Sequence, residues 1–337
     1  MTRIAIVGCG YWGVNYVRVF HDLPGVEVAW VADASPIRLQ TMARRYPATR
    51  GTTHWEDCLA DPSVQALVFA TPAASHFEMT RSSLAAGKDV LVEKPLTTRP
   101  EEADELVRLA RETGRILMVG HTFLYNPAVR QLKRLMSDSR FGRLHYLHST
   151  RTNMGPIRSD VNSVWDLAPH DVAIFGYLVG APPTRVSAVG AAVLGNSRAD
   201  VGFITLTYPG GVIANIHVSW VDPNKVREVV AVGSQRRIVF DDTQTLERIR
   251  VFEKGVESSM PETGSYGEFR LSVRDGDIIS PKVDSGEPLV LLAQEFVDSV
   301  QTRRSPQADG ANGADVVRVM AAVDRSMSTS GAPVELP

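Results

Sequence analysis

The chain has 337 residues, of which 44% are hydrophobic and 22% are charged, and its formal net charge is −2. This length exceeds what one hydrophobic core ordinarily organises, so we expect two domains. The near balance of charge, without a long basic run, argues against a nucleic-acid partner. No apolar stretch is long enough to span a bilayer, and the only cysteines are Cys9 and Cys58, so we expect a cytoplasmic protein without a membrane partner.

The first third of the chain alternates short apolar runs with amphipathic segments, a pattern typical of parallel strands joined by helices. Strands are predicted over residues 3–8, 27–32, 65–70, 89–93 and 115–119. Helices are predicted over residues 14–22, 36–46, 76–86 and 100–113. Because the strands are apolar on both faces, we expect a doubly wound parallel α/β sheet of the Rossmann type over residues 1–122.

After Gly120 the pattern changes. The sequence predicts a helix that begins near residue 126 and ends before Gly142, a strand at 144–152 and a helix at 164–179. Alternating runs then predict strands over residues 185–193, 201–208, 212–221, 228–232, 237–240 and 247–252, and helices over 289–302 and 314–329. We expect an α+β domain over residues 123–337 with a large, mostly antiparallel sheet.

A glycine-rich segment lies between the first predicted strand and the first predicted helix and fits the pattern G-x-G-x-x-G. Its glycines allow the backbone to approach a pyrophosphate at a helix N-terminus. Asp33 ends the second predicted strand, where a carboxylate accepts hydrogen bonds from ribose hydroxyls and repels a 2′-phosphate. We therefore expect NAD rather than NADP as cofactor; the alternative is a packing turn with Asp33 as a helix cap. The loop residues are Gly8, Gly10, Tyr11, Trp12 and Gly13.

Two further segments follow predicted strands, at the edge where open α/β sheets bind ligands. One follows the strand at 65–70 and the other follows the strand at 89–93. A lysine at a strand end is usually solvated, but its position beside a nicotinamide would make it functional. His121, after the strand at 115–119, either lines the site or ends the strand. The candidate cofactor residues of the two segments are Thr71, Pro72, His76, Glu93, Lys94 and Pro95.

The chain resembles the family that includes glucose-fructose oxidoreductase, inositol dehydrogenase and MocA. Residues 7–13 (Val-Gly-Cys-Gly-Tyr-Trp-Gly), 70–72 (Ala-Thr-Pro), 93–95 (Glu-Lys-Pro) and 165–171 (Trp-Asp-Leu-Ala-Pro-His-Asp) carry the resemblance, which covers essentially the whole chain. It implies an NAD-dependent dehydrogenase of sugars, nucleotide-linked sugars or cyclitols. It also implies that the C-terminal sheet is open-faced and that a homodimer or homotetramer forms through this sheet. Many members carry an acid three residues after the histidine; this chain has Ala173 there and an acid at Asp171 instead.

Oxidation of a secondary alcohol requires a base for the hydroxyl proton. We favour His170 as proton acceptor, Lys94 as the cation that polarises the oxygen and Asp166 as a hydrogen-bond partner; Lys94 as the base stays an alternative. Asp166 and His170 are four residues apart and share a helix face if the helix continues across Pro169. If Pro169 lies in the first turn, Asp166 is a cap instead.

The expected substrate site adds residues from the second domain, and Arg151 or Arg158 could hold a phosphate or carboxylate. No cluster has metal-ligand spacing, so no metal is predicted. The first hypothesis is a dehydrogenase or ketoreductase of a nucleotide-linked or otherwise anionic sugar. The alternatives are a free cyclitol or polyol dehydrogenase and a redox-silent NAD sensor. The candidate substrate-binding residues are Tyr125, Asn153, Arg158, Trp165 and His170.

Overall fold

The computed structural model of the protein describes residues 1–155, 157, 161–195, 198–259 and 270–337. These residues form two compact units. The first combines Met1–Tyr125 with Gly286–Ala321, and the second combines Asn126–Ser285 with Ala322–Pro337. In none of the described ranges does a helix combine the length and the apolarity that crossing a membrane requires.

Six strands form the sheet of the first unit: β1 (Thr2–Val7), β2 (Val26–Ala32), β3 (Arg50–Thr52), β4 (Ala66–Phe69), β5 (Asp89–Val92) and β6 (Leu117–Val119). The helices that alternate with them are α1 (Gly13–Asp22), α2 (Pro36–Arg45), α3 (Trp55–Ala60), α4 (His76–Ala85) and α5 (Pro100–Thr113). The strand order is β3-β2-β1-β4-β5-β6, and every pair is parallel. The predicted doubly wound parallel sheet is confirmed.

The order of the strands locates the ligand-binding edge of this sheet. The chain proceeds outward from β1 to β3 and then crosses to β4 on the other side of β1. The carboxyl ends of β1 and β4 therefore flank the topological switch point, where open α/β sheets bind ligands. β3 and α3 were not predicted, because three residues of strand and six of helix carry too little periodicity to detect.

The second unit is built on a nine-stranded sheet with the helices α6 (Pro127–Met136) and α7 (Ser163–Val179). Its strands are β7 (Leu144–Thr152), β8 (Arg185–Ala191), β9 (Val201–Thr207), β10 (Ile213–Ser219), β11 (Val226–Gly233), β12 (Arg237–Asp241) and β13 (Ile249–Phe252); β14 (Gly255–Ser259) and β15 (Arg270–Arg274) pair with each other, and β16 (Ile278–Ile279) and β17 (Val334–Glu335) are edge strands. The order is β16-β13-β12-β11-β7-β10-β9-β8-β17. All neighbours are antiparallel except β7 and β10, so the mostly antiparallel sheet is confirmed.

One face of this sheet is covered by α7, and the other is open. Along β10 the side chains of Ala214, Ile216 and Val218 are fully buried, and α7 packs on β7, β9 and β10. The intervening residues point to the opposite face, as the period-two alternation of the sequence predicted. Large hydrophobic side chains on that face are about half exposed; they are Tyr146, Val189, Phe203 and Ile213.

The last two helices are α8 (Pro288–Thr302) and α9 (Gly310–Ser328). α8 packs with the first unit: Phe296 contacts Phe20 of α1 edge to face, with ring centroids 6.3 Å apart. Arg303, which ends α8, donates to both carboxylate oxygens of Asp89 at 2.7 Å. The boundary expected after residue 122 assigned α8 to the second domain. The structure instead groups α8 with the first unit. The sequence could not predict this, because periodicity identifies the apolar face of a helix but not the surface that covers it.

Candidate functional site

The glycine-rich segment joins β1 to α1, as predicted, and its three glycines serve different purposes. Gly8 has φ +93°, and a Cβ there would lie 2.6 Å from the carbonyl oxygen of Ala70. A Cβ on Gly13 would lie 1.8 Å from the carbonyl oxygen of Gly8, so the loop itself excludes side chains at both positions. At Gly10 the nearest atom to a Cβ is Nη1 of Arg38, 3.9 Å away. Since packing does not require glycine there, the open backbone at Gly10 fits the approach of a pyrophosphate.

Asp33 directly follows β2, and its side chain is buried. Oδ2 accepts a hydrogen bond from the backbone N–H of Cys9 at 2.6 Å, and Oδ1 accepts one from the N–H of Ser35 at 2.8 Å. The acid is thus held against the glycine loop, and the N-cap of α2 is Ser35 rather than Asp33. Each carboxylate oxygen keeps a lone pair that can accept from a ribose hydroxyl. The residues of this edge therefore fit an NAD cofactor.

The two aromatic residues of the loop differ in exposure. Tyr11 is 93% exposed, whereas Trp12 is 39% exposed and donates its indole N–H to Oε1 of Glu93 at 2.5 Å. The hydroxyl of Tyr16 donates to the same oxygen at 2.6 Å, and the backbone N–H of Lys94 donates to Oε2 at 3.1 Å. Glu93 therefore joins the glycine loop to the backbone at Lys94. These hydrogen bonds indicate that Glu93 positions the glycine loop relative to the segment that follows β5.

Gly120, directly after β6, completes the enclosure of Glu93. A Cβ there would lie 2.7 Å from Oε1 of Glu93 and 3.0 Å from the hydroxyl of Tyr16. Burial raises the pKa of the Glu93 carboxyl, whereas the hydrogen bond from Tyr16 and the charge of Lys94 lower it. Sequence reasoning missed Tyr16 and Gly120. A glycine at a strand's carboxyl end is a weak signal of close approach, but nothing local marks a buried helix tyrosine as the partner of an acid.

His76 is fully buried, and both of its ring nitrogens face backbone carbonyls. Nδ1 lies 2.7 Å from the carbonyl oxygen of Pro95, and Nε2 lies 2.9 Å from that of Thr71. Burial lowers the pKa of the imidazole, against the influence of the two carbonyls. His76 thus ties together the segments that follow β4 and β5, and neither ring nitrogen is directed at a ligand. Thr71 is half-buried, Pro72 is exposed, and the Lys94–Pro95 peptide bond is cis.

His121 lies beside Lys94 at the end of β6. The ladder between β5 and β6 ends by pairing Val92 with Val119, and the charge of Lys94, two residues after β5, acts on the imidazole of His121, two residues after β6. The imidazole is buried, and neither ring nitrogen has a hydrogen-bond partner among the described residues. Burial and then the charge of Lys94 lower the pKa of His121 to about 3, so the ring is neutral at neutral pH.

In the second unit, α7 carries the predicted acid and histidine. Asn162 is its N-cap, and the side-chain oxygen accepts from the backbone N–H of Trp165 at 2.8 Å. The helix continues through Pro169, so Asp166 and His170 lie one turn apart on one face. Both side chains are half-buried. The shared-face interpretation is confirmed, and Asp166 is not the cap.

Arg151 and Asp171 form a buried ion pair in the second unit. Nε and Nη2 of Arg151 donate to the two carboxylate oxygens of Asp171 at 2.8 and 2.9 Å. Because the guanidinium fork is turned inward to Asp171, the expectation that Arg151 holds an anionic substrate is not supported. Asp171 is equally occupied, and Ala173 is buried in the core. Arg158, the other predicted anion ligand, lies outside the described residues.

The remaining predicted substrate residues have different environments. Tyr125 is fully buried in the first unit, and its hydroxyl accepts from the backbone N–H of Ala308 at 3.2 Å, so the ring belongs to the core. In the second unit, the indole of Trp165 donates to Asp324 at 2.8 Å. Asn153 is half-buried directly after β7. Trp165 therefore shares α7 with the acid and the histidine, whereas Tyr125 does not lie on a surface.

Each of the two units carries its own set of candidate functional groups. The first offers a glycine loop, a ribose acid and Lys94, and the second offers Asp166 and His170. A lysine and a histidine are groups that exchange protons with a substrate hydroxyl or ketone. Among the described residues no group of three or more histidine, cysteine, aspartate or glutamate side chains is arranged to hold a metal ion.

Two family models match the chain. The NAD-binding Rossmann fold of an oxidoreductase family matches residues 2–121. The GFO/IDH/MocA C-terminal domain matches residues 129–239. The two matches together span well over half of the chain, so they show the family.

Relatives with named activities are similar over much of the chain. A UDP-N-acetylglucosamine 3-dehydrogenase from Acidithiobacillus ferrooxidans is 27% identical over 319 residues, which cover 94% of each chain. A scyllo-inositol 2-dehydrogenase (NAD(+)) from Bacillus subtilis is 28% identical over 234 residues, which cover 66% of this chain and 68% of the relative. The structure of GenD2 from gentamicin A biosynthesis, in complex with NAD, has a TM-score of 0.84 and 25% identity, covering 100% of this chain and 96% of GenD2. The chain therefore belongs to the glucose-fructose oxidoreductase, inositol dehydrogenase and MocA family, and it is an NAD-dependent oxidoreductase that acts on CH–OH groups.

Proposed function

We propose that this enzyme transfers hydride between NAD and a secondary hydroxyl or ketone of a sugar that is nucleotide-linked or otherwise anionic. The observation that carries the proposal is the unbroken helix α7, which presents Asp166 and His170 on one face in a chain whose glycine loop and Asp33 fit NAD. NAD, when bound, would accept the hydride from the alcohol, and NADH would donate it to the ketone in the reverse direction.

The chain's own residues manage the proton. We assign His170 as the acceptor of the hydroxyl proton and Asp166, one helical turn away, as its hydrogen-bond partner or that of the substrate hydroxyl. Lys94 supplies the positive charge that polarises the substrate oxygen, and exchange of roles between Lys94 and His170 is the alternative. Glu93 and His76 hold the backbone on either side of Lys94 and are positioning residues.

The preference for a nucleotide-linked sugar is supported by the UDP-N-acetylglucosamine 3-dehydrogenase, which is similar over almost the whole of both chains. The scyllo-inositol 2-dehydrogenase is similar over about two thirds of each chain, which keeps a free cyclitol as the second candidate. Trp165, on the same helix as the acid and histidine, offers an apolar surface to a sugar ring or base.

The proposal is tested by following absorbance of the reduced nicotinamide while NAD is offered with nucleotide sugars, hexoses and cyclitols. We expect turnover with a nucleotide-linked sugar. Turnover with a free cyclitol alone would show that the substrate is a cyclitol rather than a nucleotide-linked sugar. If the protein binds NAD but turns over neither the alcohols with NAD nor the corresponding ketones with NADH, the result would favour a redox-silent NAD sensor.

A matched pair of variants then tests the assignment of His170. We expect His170→Asn to lower kcat by about 100-fold, because the proton acceptor is lost, while the Kd for NADH changes less than about threefold. The control is His145→Asn, which alters an exposed histidine of β7. Retained kcat in His170→Asn would remove this residue from the chemistry.

We also propose that the enzyme is a homodimer or homotetramer assembled through the open face of the nine-stranded sheet. The half-exposed side chains of Tyr146, Val189, Phe203 and Ile213 support this, since contiguous apolar patches mark interaction surfaces. The proposed compartment remains the cytoplasm, with Cys9 and Cys58 as free, buried thiols.

A further inference from the structure

The helix that carries Asp166 and His170 is tied to the sheet of the second unit by a buried ion pair. Asp171, the residue after His170, lies on the buried face of α7 and accepts two hydrogen bonds from the guanidinium of Arg151. The side chain of Asp171 is 1% exposed and that of Arg151 is 6% exposed. Arg151 lies on β7, the central strand of the nine, and pairs with the fully buried Val218 of β10. The ion pair therefore joins α7 to the middle of the sheet.

Stability alone does not explain why a buried ion pair occupies this position. The attraction between two buried charges only roughly offsets the cost of removing them from water, and apolar side chains of similar volume are often as stable in the same place. An apolar pair can slide and rotate, whereas a guanidinium fork that donates both of its bonds to one carboxylate accepts a single orientation. The pair of Arg151 and Asp171 therefore specifies how α7 is turned on the sheet.

A proline within α7 makes such a restraint useful at this point of the helix. Pro169 lies between the acid and the histidine of the candidate site. Because a proline has no backbone N–H, it cannot donate to the carbonyl of Trp165, four residues earlier, and its ring crowds that carbonyl. The helix is consequently least constrained by its own hydrogen bonds just before His170. The bond from Arg151 to Asp171 supplies a restraint one residue later.

The charge of Arg151 also reaches the acid of the candidate site. Burial lowers the pKa of the guanidinium, but the charge and hydrogen bonds of Asp171, followed by the charges of Asp242 and Asp166, raise it above its usual range. Arg151 therefore stays charged at neutral pH. One cation thus attracts an acid on each side of His170, and both attractions act on the turn of α7 that carries the histidine.

We propose that Arg151 and Asp171 are positioning residues for hydride transfer, which fix the rotation of α7 that presents Asp166 and His170 to the substrate. The inference rests on the proposed function, in which His170 exchanges the proton of the substrate hydroxyl. Arg151 and Asp171 act through the geometry of the helix and not on the reacting atoms. An apolar pair of similar volume would keep the second unit folded without keeping the histidine in place.

The first experiment compares crystal structures of the full-length wild type and the double variant Arg151→Met with Asp171→Leu. We expect the Cα atom of His170 to move by about 1 Å or more relative to β7, a misplacement that can lower a rate about 100-fold. The matched control is Arg236→Met with Glu253→Leu, which replaces an ion pair of the same unit at the ends of β12 and β13 and should leave His170 in place. A shift of His170 below about 0.5 Å in the first double variant would overturn the proposal.

The second experiment measures kcat with NAD and the alcohol that the wild type turns over. We expect the double variant at Arg151 and Asp171 to lower kcat by about tenfold or more, while the Kd for NADH changes by less than about threefold. Adding His170→Asn to the double variant should lower kcat by less than about threefold further, because the pair acts through this histidine. The control pair variant should keep the wild-type kcat.

Two kinetic outcomes would overturn the positioning role. One is a wild-type kcat in the double variant at Arg151 and Asp171, since a purely structural pair loses nothing once stability is restored. The other is full multiplication of its loss with that of His170→Asn, since the pair and the histidine would then act independently. Retained kcat in His170→Asn alone contradicts the proposed function instead, and this outcome is distinct from both.

Discussion

At the scale of single residues, His121 is a buried titratable group whose surroundings favour one protonation state. Burial, followed by the positive charge of Lys94, lowers its pKa to about 3, whereas an unfolded histidine has a pKa of about 6.5. As the pH falls, the unfolded chain therefore binds a proton before the folded chain does. The contribution of His121 to stability is fully present above about pH 6.5 and is lost progressively as the pH falls toward 3.

We expect His121→Leu to make the protein less sensitive to acid. Between pH 7 and pH 5 the wild type should lose about 2 kcal/mol of unfolding free energy through this residue, and the leucine variant should not. Denaturant unfolding at the two pH values measures the difference. His54→Leu, at an exposed histidine, is the control and should resemble the wild type. Equal losses in the wild type and His121→Leu would mean that His121 is protonated at an ordinary pH in the folded protein.

At the scale of elements, α7 is attached to β7 by the buried pair of Asp171 and Arg151. Asp171 immediately follows His170, so the ion pair fixes the rotation of the helix at the residue proposed as the base. The free-energy cost of burying each charge is offset only while the opposite charge is present. Removing one leaves the other buried without its partner, which costs about 3–5 kcal/mol.

We expect Asp171→Asn to lower the unfolding free energy by about 3 kcal/mol, because the buried Arg151 guanidinium loses the charge of its bidentate partner and retains only the weaker influence of Asp242 and Asp166. The double variant Arg151→Met with Asp171→Leu should recover most of that loss, since no unpaired charge remains. Chemical unfolding of the wild type, both single variants and the double variant gives the coupling free energy between Arg151 and Asp171. A double variant less stable than either single variant would show that packing, rather than the uncompensated charge, dominates at this position.

At the scale of the whole molecule, the open face of the nine-stranded sheet is the surface on which we base the oligomer. Phe203 stacks on His217 with ring centroids 4.5 Å apart, and both strands are central enough to be hydrogen-bonded on each side. The apolar side chains of this face are exposed without being needed to cover the core of the second unit. A second copy that covers them would remove apolar surface from water.

We expect Phe203→Glu to convert the proposed oligomer to monomers, because an unpaired carboxylate would be buried in the interface. Light scattering coupled to size-exclusion chromatography measures the mass. Leu246→Glu, at a residue that is 93% exposed in the connection between β12 and β13, is the matched control and should keep the wild-type mass. A monomeric wild type, or an unchanged mass in Phe203→Glu, would contradict assembly through this face.

The local features of the fold and of the candidate site were predictable from sequence. The dinucleotide-binding edge of the first sheet was predicted from the succession of a strand, a glycine loop, a helix and a second strand that ends at Asp33. Each of these features is recognised from residues that are neighbours along the chain. The four-residue spacing of Asp166 and His170 predicted a common face, which the unbroken α7 confirms. Alternating runs likewise predicted the mostly antiparallel sheet, whereas its open face was implied by the family resemblance.

Tertiary structure decided which polar side chains face a ligand site and which face the protein. His76 and Tyr125 were predicted as ligand contacts, but both ring nitrogens of His76 face backbone carbonyl oxygens and Tyr125 lies in the core. The fork of Arg151 is directed at an acid twenty residues away, and α8 returns to cover α1. Composition and periodicity determined the elements, the dinucleotide motif and the family resemblance, since these are properties of short stretches of chain. The partners of buried polar groups were decided only when distant segments packed together, because a side chain's neighbours depend on which surfaces meet and not on its own sequence.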